Sequence, residues 1–116
     1  MQRQFRLRRS ADFELLRTEG RTWRHPFLIM SVAPNALVHN RYGFITSRHL
    51  GGAVVRNRVR RLLREAVRQS MPRLRSGYDV TFVARNGIVS KPYSMVTGAL
   101  EELLKRADLW QEEGKI

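Results

Sequence analysis

At 116 residues the chain has the length of a single domain, 1–116, able to bury one core without disulfides or metals to staple it. Its 22 Lys plus Arg against 10 Asp plus Glu give a formal net charge of +12 and a pI near 11.6, a field that draws polyanions. The lack of cysteine excludes disulfides, thiol nucleophiles and cysteine-bound zinc, and 42% hydrophobic with 28% charged residues excludes a disordered tail.

Nineteen of the 22 basic residues are Arg, whose planar guanidinium forks onto phosphate and stacks on bases. That choice favours nucleic acid over a simple membrane contact. The amino terminus, Met1 to Arg9, holds no apolar run of signal-peptide type, and no later stretch is long enough to span a bilayer. A cytoplasmic protein with no membrane partner is expected. Before residue 86 stand 18 Arg against five acids, whereas residues 100–116 hold five acids and three basic groups, so the final helix is not the polyanion face.

In chain order, Ser10 is placed to cap a short helix that turns Phe13 and Leu16 inward and ends near Gly20. After His25-Pro26, the run Phe27 to Ala33 has the apolar density and length of a strand, stopped by Pro34-Asn35. Arg41 to Ser47 reads as its hairpin partner, and Gly51-Gly52 closes the next turn. Val54 to Gln69 is the clearest helix, because Val55, Val59, Leu62 and Ala66 recur at helical spacing; Met71-Pro72 ends it. Tyr78 to Ala84 is another strand. Lys91-Pro92 then precedes a last helix with Met95, Val96, Ala99, Leu100, Leu103 and Leu104, more suited to a core than to a dimer seam. The order α-β-β-α-β-α predicts an α+β sandwich of helices on a mixed sheet. No repeat or linker divides it.

On a wheel of roughly 100° per residue, the apolar stripe of the central helix lies opposite Asn57, Arg60, Arg61, Arg64 and Arg68, with Arg58 at the border. A solvated helix face mixes Glu with Lys, yet Glu65 is the only acid among these arginines. A polyanion relieves that repulsion. Asn57 adds a neutral donor and acceptor suited equally to a base or sugar edge and to a capping or surface role.

The run Gly51-Gly52-Ala53-Val54-Val55-Arg56-Asn57-Arg58-Val59-Arg60-Arg61-Leu62-Leu63-Arg64-Glu65 closely resembles the signature of the bacterial ribonuclease P protein family. The resemblance extends to Arg6 through Phe13, Gly20-Arg21, Arg41 to Phe44, Ser47-Arg48, Tyr78 to Val80 and Ala84-Arg85, nearly the whole chain. It implies a protein subunit that joins a catalytic RNA to remove the 5′ leader from precursor transfer RNA, with Mg2+ held mainly by the RNA, no metal site or catalytic side chain on the protein, and no obligatory protein partner. It also implies a ribosomal-protein-like left-handed βαβ crossover. Residue by residue, Arg56, Asn57, Arg58, Arg60, Arg61 and Arg64 match the motif that contacts the RNA subunit, and the wheel adds Arg68. Phe13, with Arg9, Arg17, Ser47 and Arg48, falls to the leader-binding cleft. Spacing alone makes Phe13 a core residue beside Leu16, as it does Phe27 and Phe44; the resemblance moves Phe13 to a cleft wall. Arg17 replaces an aromatic, and His49 a lysine, that are common in the family.

A nuclease acting unaided needs a positioned acid and base or carboxylates clustered around metal. His25, His39, His49 and three aspartates form no such pair. His25 and His39 suit structural or surface roles, His49 an RNA contact, and Glu65 is not assigned as a ligand. A structural ribosomal RNA-binding protein and a DNA-binding module fit the composition too; the glycine turn and the Arg56-Asn57-Arg58 motif separate them from the first reading.

Overall fold

A computed structural model describes residues 2–111; residues 112–116, which hold part of the acid-rich carboxy-terminal charge, lie outside the described residues. One turn of 3-10 helix at Arg3–Phe5 leads to α1, Ser10–Glu19. The cap position falls on Arg9, not Ser10, and no side chain bonds the helix end. The reason is local: the Arg9 carbonyl already accepts from the Asp12 and Phe13 N–H groups, so Ser10 is inside the first turn. Gly20 ends α1, where a Cβ would stand 2.5 Å from the Leu16 carbonyl oxygen.

Four strands follow: β1 (Arg21–Arg24), β2 (Leu28–Pro34), β3 (Arg41–Ile45) and β4 (Tyr78–Ala84). α2 (Ala53–Ser70) separates β3 from β4, and α3 (Tyr93–Arg106) follows β4. β1 adds a strand to the expected order. Its four residues, three of them charged or polar and exposed, carry no apolar alternation to announce it.

The sheet order is β1-β2-β4-β3, so β3 is not the hairpin partner of β2. β4 lies between them, antiparallel to β2 and parallel to β3, with α2 as the crossover that a parallel pair needs. Burial accounts for the arrangement. β4 is buried along most of its length and takes a position paired on both edges, while β3, opening on Arg41, takes an edge.

Register divides the sheet into two unlike faces. Leu28, Met30, Val32, Tyr42, Val80 and Phe82 point to one side, where Val59, Leu63 and Val67 of α2 meet Val96, Leu100, Leu103 and Leu104 of α3. Each fully buried side chain of this kind contributes about 1.5–3 kcal/mol. Phe27 and Phe44 join that core, Phe44 stacking on Phe82 at 5.8 Å. α1 packs on β2 and β4 from the opposite side, with Leu16 buried.

One ion-pair network fixes α1 over that second face. Arg41 forks onto Asp79 at 2.9 and 2.7 Å, Asn35 donates to the same carboxylate at 2.9 Å, and Asp12 of α1 lies 3.8 Å from Arg41. Hydrogen bonding to Asp79 raises the Arg41 pKa.

Candidate nucleic-acid interface

α2 is continuous because nothing between Gly52 and Met71-Pro72 breaks it. It starts where Gly51, at φ 138°, makes a turn that other residues rarely adopt. Its outer side gathers Asn57, Arg60, Arg61, Arg64, Glu65 and Arg68 along one shallow groove.

These arginines differ in what holds them. Arg60 donates to the Asn57 amide oxygen at 3.0 Å and to the Thr46 hydroxyl at 2.5 Å, which ties the helix to the end of β3. Arg68 forks onto Glu65 at 3.0 and 2.6 Å. Arg61 and Arg64 are exposed and make no hydrogen bond or ion pair among the described residues. Partial burial, then the like charges of Arg6 and Arg60, lower the Arg64 pKa. An anion placed there meets donors with no competing protein acceptor.

The Arg56-Asn57-Arg58 motif is split by the helix geometry. Asn57 lies on the groove, whereas half-buried Arg58 donates to the Lys91 carbonyl at 3.3 Å and links α2 to the approach to α3. Arg56 is half-buried, and its Nε is enclosed without a partner. Neither Arg56 nor Arg58 lines the groove.

A second surface lies on the other face of the sheet. α1 overhangs it and leaves a cleft of about 510 Å³, walled by Ser10, Phe13, Glu14 and Arg17 and floored by Thr22, Arg24, Ile29, Ser31, Ile45, Thr81 and Val83. Phe13 is half-buried, neither a sealed core residue nor a free one. Its ring edge rests on Gly43, where a Cβ would come within 2.5 Å of the ring. Glycine at position 43 thus lets the aromatic wall stand directly on the strand. Arg17 is paired with Glu14, whose pKa the Arg17 hydrogen bond lowers.

Arg9, Ser47 and Arg48 are exposed but do not line the cleft. Ser47 and Arg48 stand at the turn between β3 and α2, just beyond Ile45 of the cleft floor and Thr46, the partner of Arg60. The end of β3 thus joins the two surfaces. Sequence reading missed the floor residues, because Thr22 and Arg24 sit on the unannounced β1 and Ser31 and Thr81 are hidden within apolar runs. Alternate burial along Leu28–Pro34 is the signal that separates the two faces.

The histidines stand apart from these surfaces or from any acid pair. His25 Nδ1 accepts from the Phe27 N–H at 3.0 Å, His39 meets the Phe5 ring at 5.4 Å, and His49 is exposed in the turn before α2. Among the described residues no group of three or more His, Asp or Glu is placed to hold a metal ion.

An arginine-lined helix face, on which Arg61 and Arg64 are unpaired among the described residues, beside an aromatic-walled and mostly neutral cleft defines a small α+β protein with the surface of a polyanion binder. The Ribonuclease P family model matches residues 1–108, and the chain belongs to that family. It is 46% identical over 110 residues to the ribonuclease P protein component of Chloroflexus aurantiacus, covering 94% of this chain and 82% of that one. It is 42% identical over 112 residues to that of Herpetosiphon aurantiacus, covering 97% and 91%. The structure is similar to the RNase P protein of Staphylococcus aureus, with TM-score 0.85, 25% identity and coverage of 92% and 98%. It is likewise similar to that of Thermotoga maritima, with TM-score 0.81, 28% identity and coverage of 87% and 96%.

Proposed function

We propose that the chain acts as the protein subunit of a ribonuclease P ribonucleoprotein, docking its α2 face on the catalytic RNA and taking the 5′ leader of precursor transfer RNA into the α1 cleft. The observation that carries this reading is the adjacency of the two surfaces: partnerless Arg61 and Arg64 on one, half-buried Phe13 on the other, and β3 joining them. Arginines that neutralise phosphates release counterions and supply affinity without sequence preference. An aromatic face stacks with any base, which suits a leader of variable sequence.

In this reading the protein positions and the RNA hydrolyses. Mg2+ held mainly by the RNA subunit is part of this proposal. Arg9, Ser47 and Arg48 then serve the leader's path outside the cleft, and Arg56 and Arg58 brace α2 as much as they meet RNA. The cytoplasm is the location this function would require. The cleft favours this function over a purely structural ribosomal role, which needs only the arginine face.

The test is 5′ leader removal at low magnesium by a bacterial ribonuclease P RNA alone, by this protein alone and by the two mixed. Efficient cleavage by the mixture only supports the proposal. No stimulation of any of several bacterial RNA subunits would favour the structural alternative, and cleavage by the protein alone would contradict the division of labour.

A further inference from the structure

The strand register arranges the cleft floor in two parallel bands that run across the strands. Thr22, Ser31, Thr81 and Gly43 are successive cross-strand partners, and the neighbouring band is Arg24, Ile29, Val83 and Ile45. One band is a row of three hydroxyls that ends at Gly43 under Phe13; the other is three aliphatic side chains ending in an arginine. Two residues along a strand separate the bands, about 6.6–6.8 Å.

Thr81 is the informative member. It is only 5% exposed, yet its hydroxyl has no hydrogen-bond partner among the described residues. It is not among the sealed polar atoms, which are Arg56 Nε and the Tyr93 hydroxyl, and it lines the cleft. Its hydroxyl is therefore open to the cleft, with both its donor and its acceptor capacity left for a ligand group. Next to it, Ser31 and Thr22 lie 3.1 Å apart, and each keeps further hydrogen-bonding capacity.

We propose that the Thr22, Ser31 and Thr81 row receives ribose 2′-hydroxyls of a single-stranded RNA leader, and that the cleft thereby selects RNA over DNA. This rests on the cleft reading given above. The separation of the bands is comparable to that between a base and its own ribose, so a nucleotide that lays its base on Ile29, Val83 and Ile45 sets its sugar over the hydroxyls. A neutral hydroxyl does not offset phosphate charge; Arg24, at the end of the aliphatic band, is the cation placed to do that. A hydroxyl does match the 2′-OH, which both donates and accepts, and this group is what distinguishes RNA from DNA at a site. Because the sugar is common to all nucleotides, the row adds affinity without choosing a leader sequence.

The test uses the holoenzyme reconstituted with a bacterial ribonuclease P RNA and precursors whose leader is all ribose or all 2′-deoxyribose. The unmodified protein is expected to bind the deoxy leader roughly fivefold or more weakly, on the scale of one or two lost hydrogen bonds. The double variant Thr81→Val, Ser31→Ala is expected to bind both leaders equally, at the weaker affinity. Equal losses on both leaders would mean that the hydroxyls serve bases, and would overturn the proposal. Thr81→Val is expected to melt at or above the temperature of the unmodified protein; a clear drop would show the hydroxyl held within the fold, again against it, and Ser31→Ala alone then repeats the sugar comparison. Phe13→Ala separates the two levels. If it leaves leader affinity intact, the cleft reading fails; if it weakens both leaders while no sugar preference exists, only the ribose row fails.

Discussion

In the proposed function the two candidate surfaces work by opposite physics. The α2 face is a single helix side on which Arg61 and Arg64 stand exposed, unpaired and near other positive charge. The cleft is assembled from α1 and all four strands, its floor is mostly neutral, and Arg17 at its wall is already paired with Glu14. The first gains affinity from counterion release and must weaken steeply with salt. The second gains it from stacking and hydrogen bonds at short range and must respond little to salt. In the proposed function one chain would thus hold an RNA scaffold by charge and a single strand by shape.

The largest effect that breaks this contrast comes from Asp79→Ala. It leaves Arg41 without its main partner inside the network that seats α1, at a cost of about 3 kcal/mol. Denaturant unfolding is expected to show that loss, and leader affinity to fall with it, because the cleft depends on where α1 sits. Next, Arg61→Ala with Arg64→Ala is expected to lower the log-log salt slope for the RNA subunit by roughly 1.4 to 1.8, two contacts at 0.7 to 0.9 each. The slope for leader binding is expected to stay unchanged. If both slopes fall together, the two surfaces are not separate.

Phe13→Ala sharpens the other side of the contrast. Binding of leader-bearing precursor is expected to weaken by about 1–3 kcal/mol at any salt concentration, with little change for mature transfer RNA. Gly43→Ala reaches the same site indirectly, since the added methyl collides with the Phe13 ring. It is expected to cost about 1–3 kcal/mol of stability and to reduce leader affinity by displacing the wall. The smallest effect is that of Glu14→Gln, which releases Arg17 into the cleft. Leader affinity is expected to rise slightly and to become more salt-dependent, with the melting temperature unmoved. Because Arg17 holds the Glu14 carboxyl below its ordinary 4.5, the pair persists at neutral pH and is lost only as pH falls through that lowered value. Acidification to that range is expected to mimic Glu14→Gln in part.

The arginine face was legible in the sequence because a helix is a local structure. Periodicity alone sets Asn57, Arg60, Arg61, Arg64 and Arg68 opposite Val59 and Leu63, and the structure leaves that division unchanged. The split within Arg56-Asn57-Arg58 was not legible, since the Arg58 bond to the Lys91 carbonyl joins positions 33 residues apart. Phe13 shows the same limit from the other direction: its spacing beside Leu16 speaks for core, and its exposure was decided by Gly43 on a strand that local pattern pairs with the wrong neighbour.

The sequence by itself determined composition, charge, three helices, three of the four strands and one arginine-rich helix face, because each follows from residues within a few turns of one another. The tertiary structure alone decided that β4 lies between β2 and β3, that α1 sits apart from α2 and α3 on the opposite face, and that three hydroxyls from three strands align in one row. Those features arise from pairings between distant segments, selected by which strand buries best on both edges, and no local period encodes that competition.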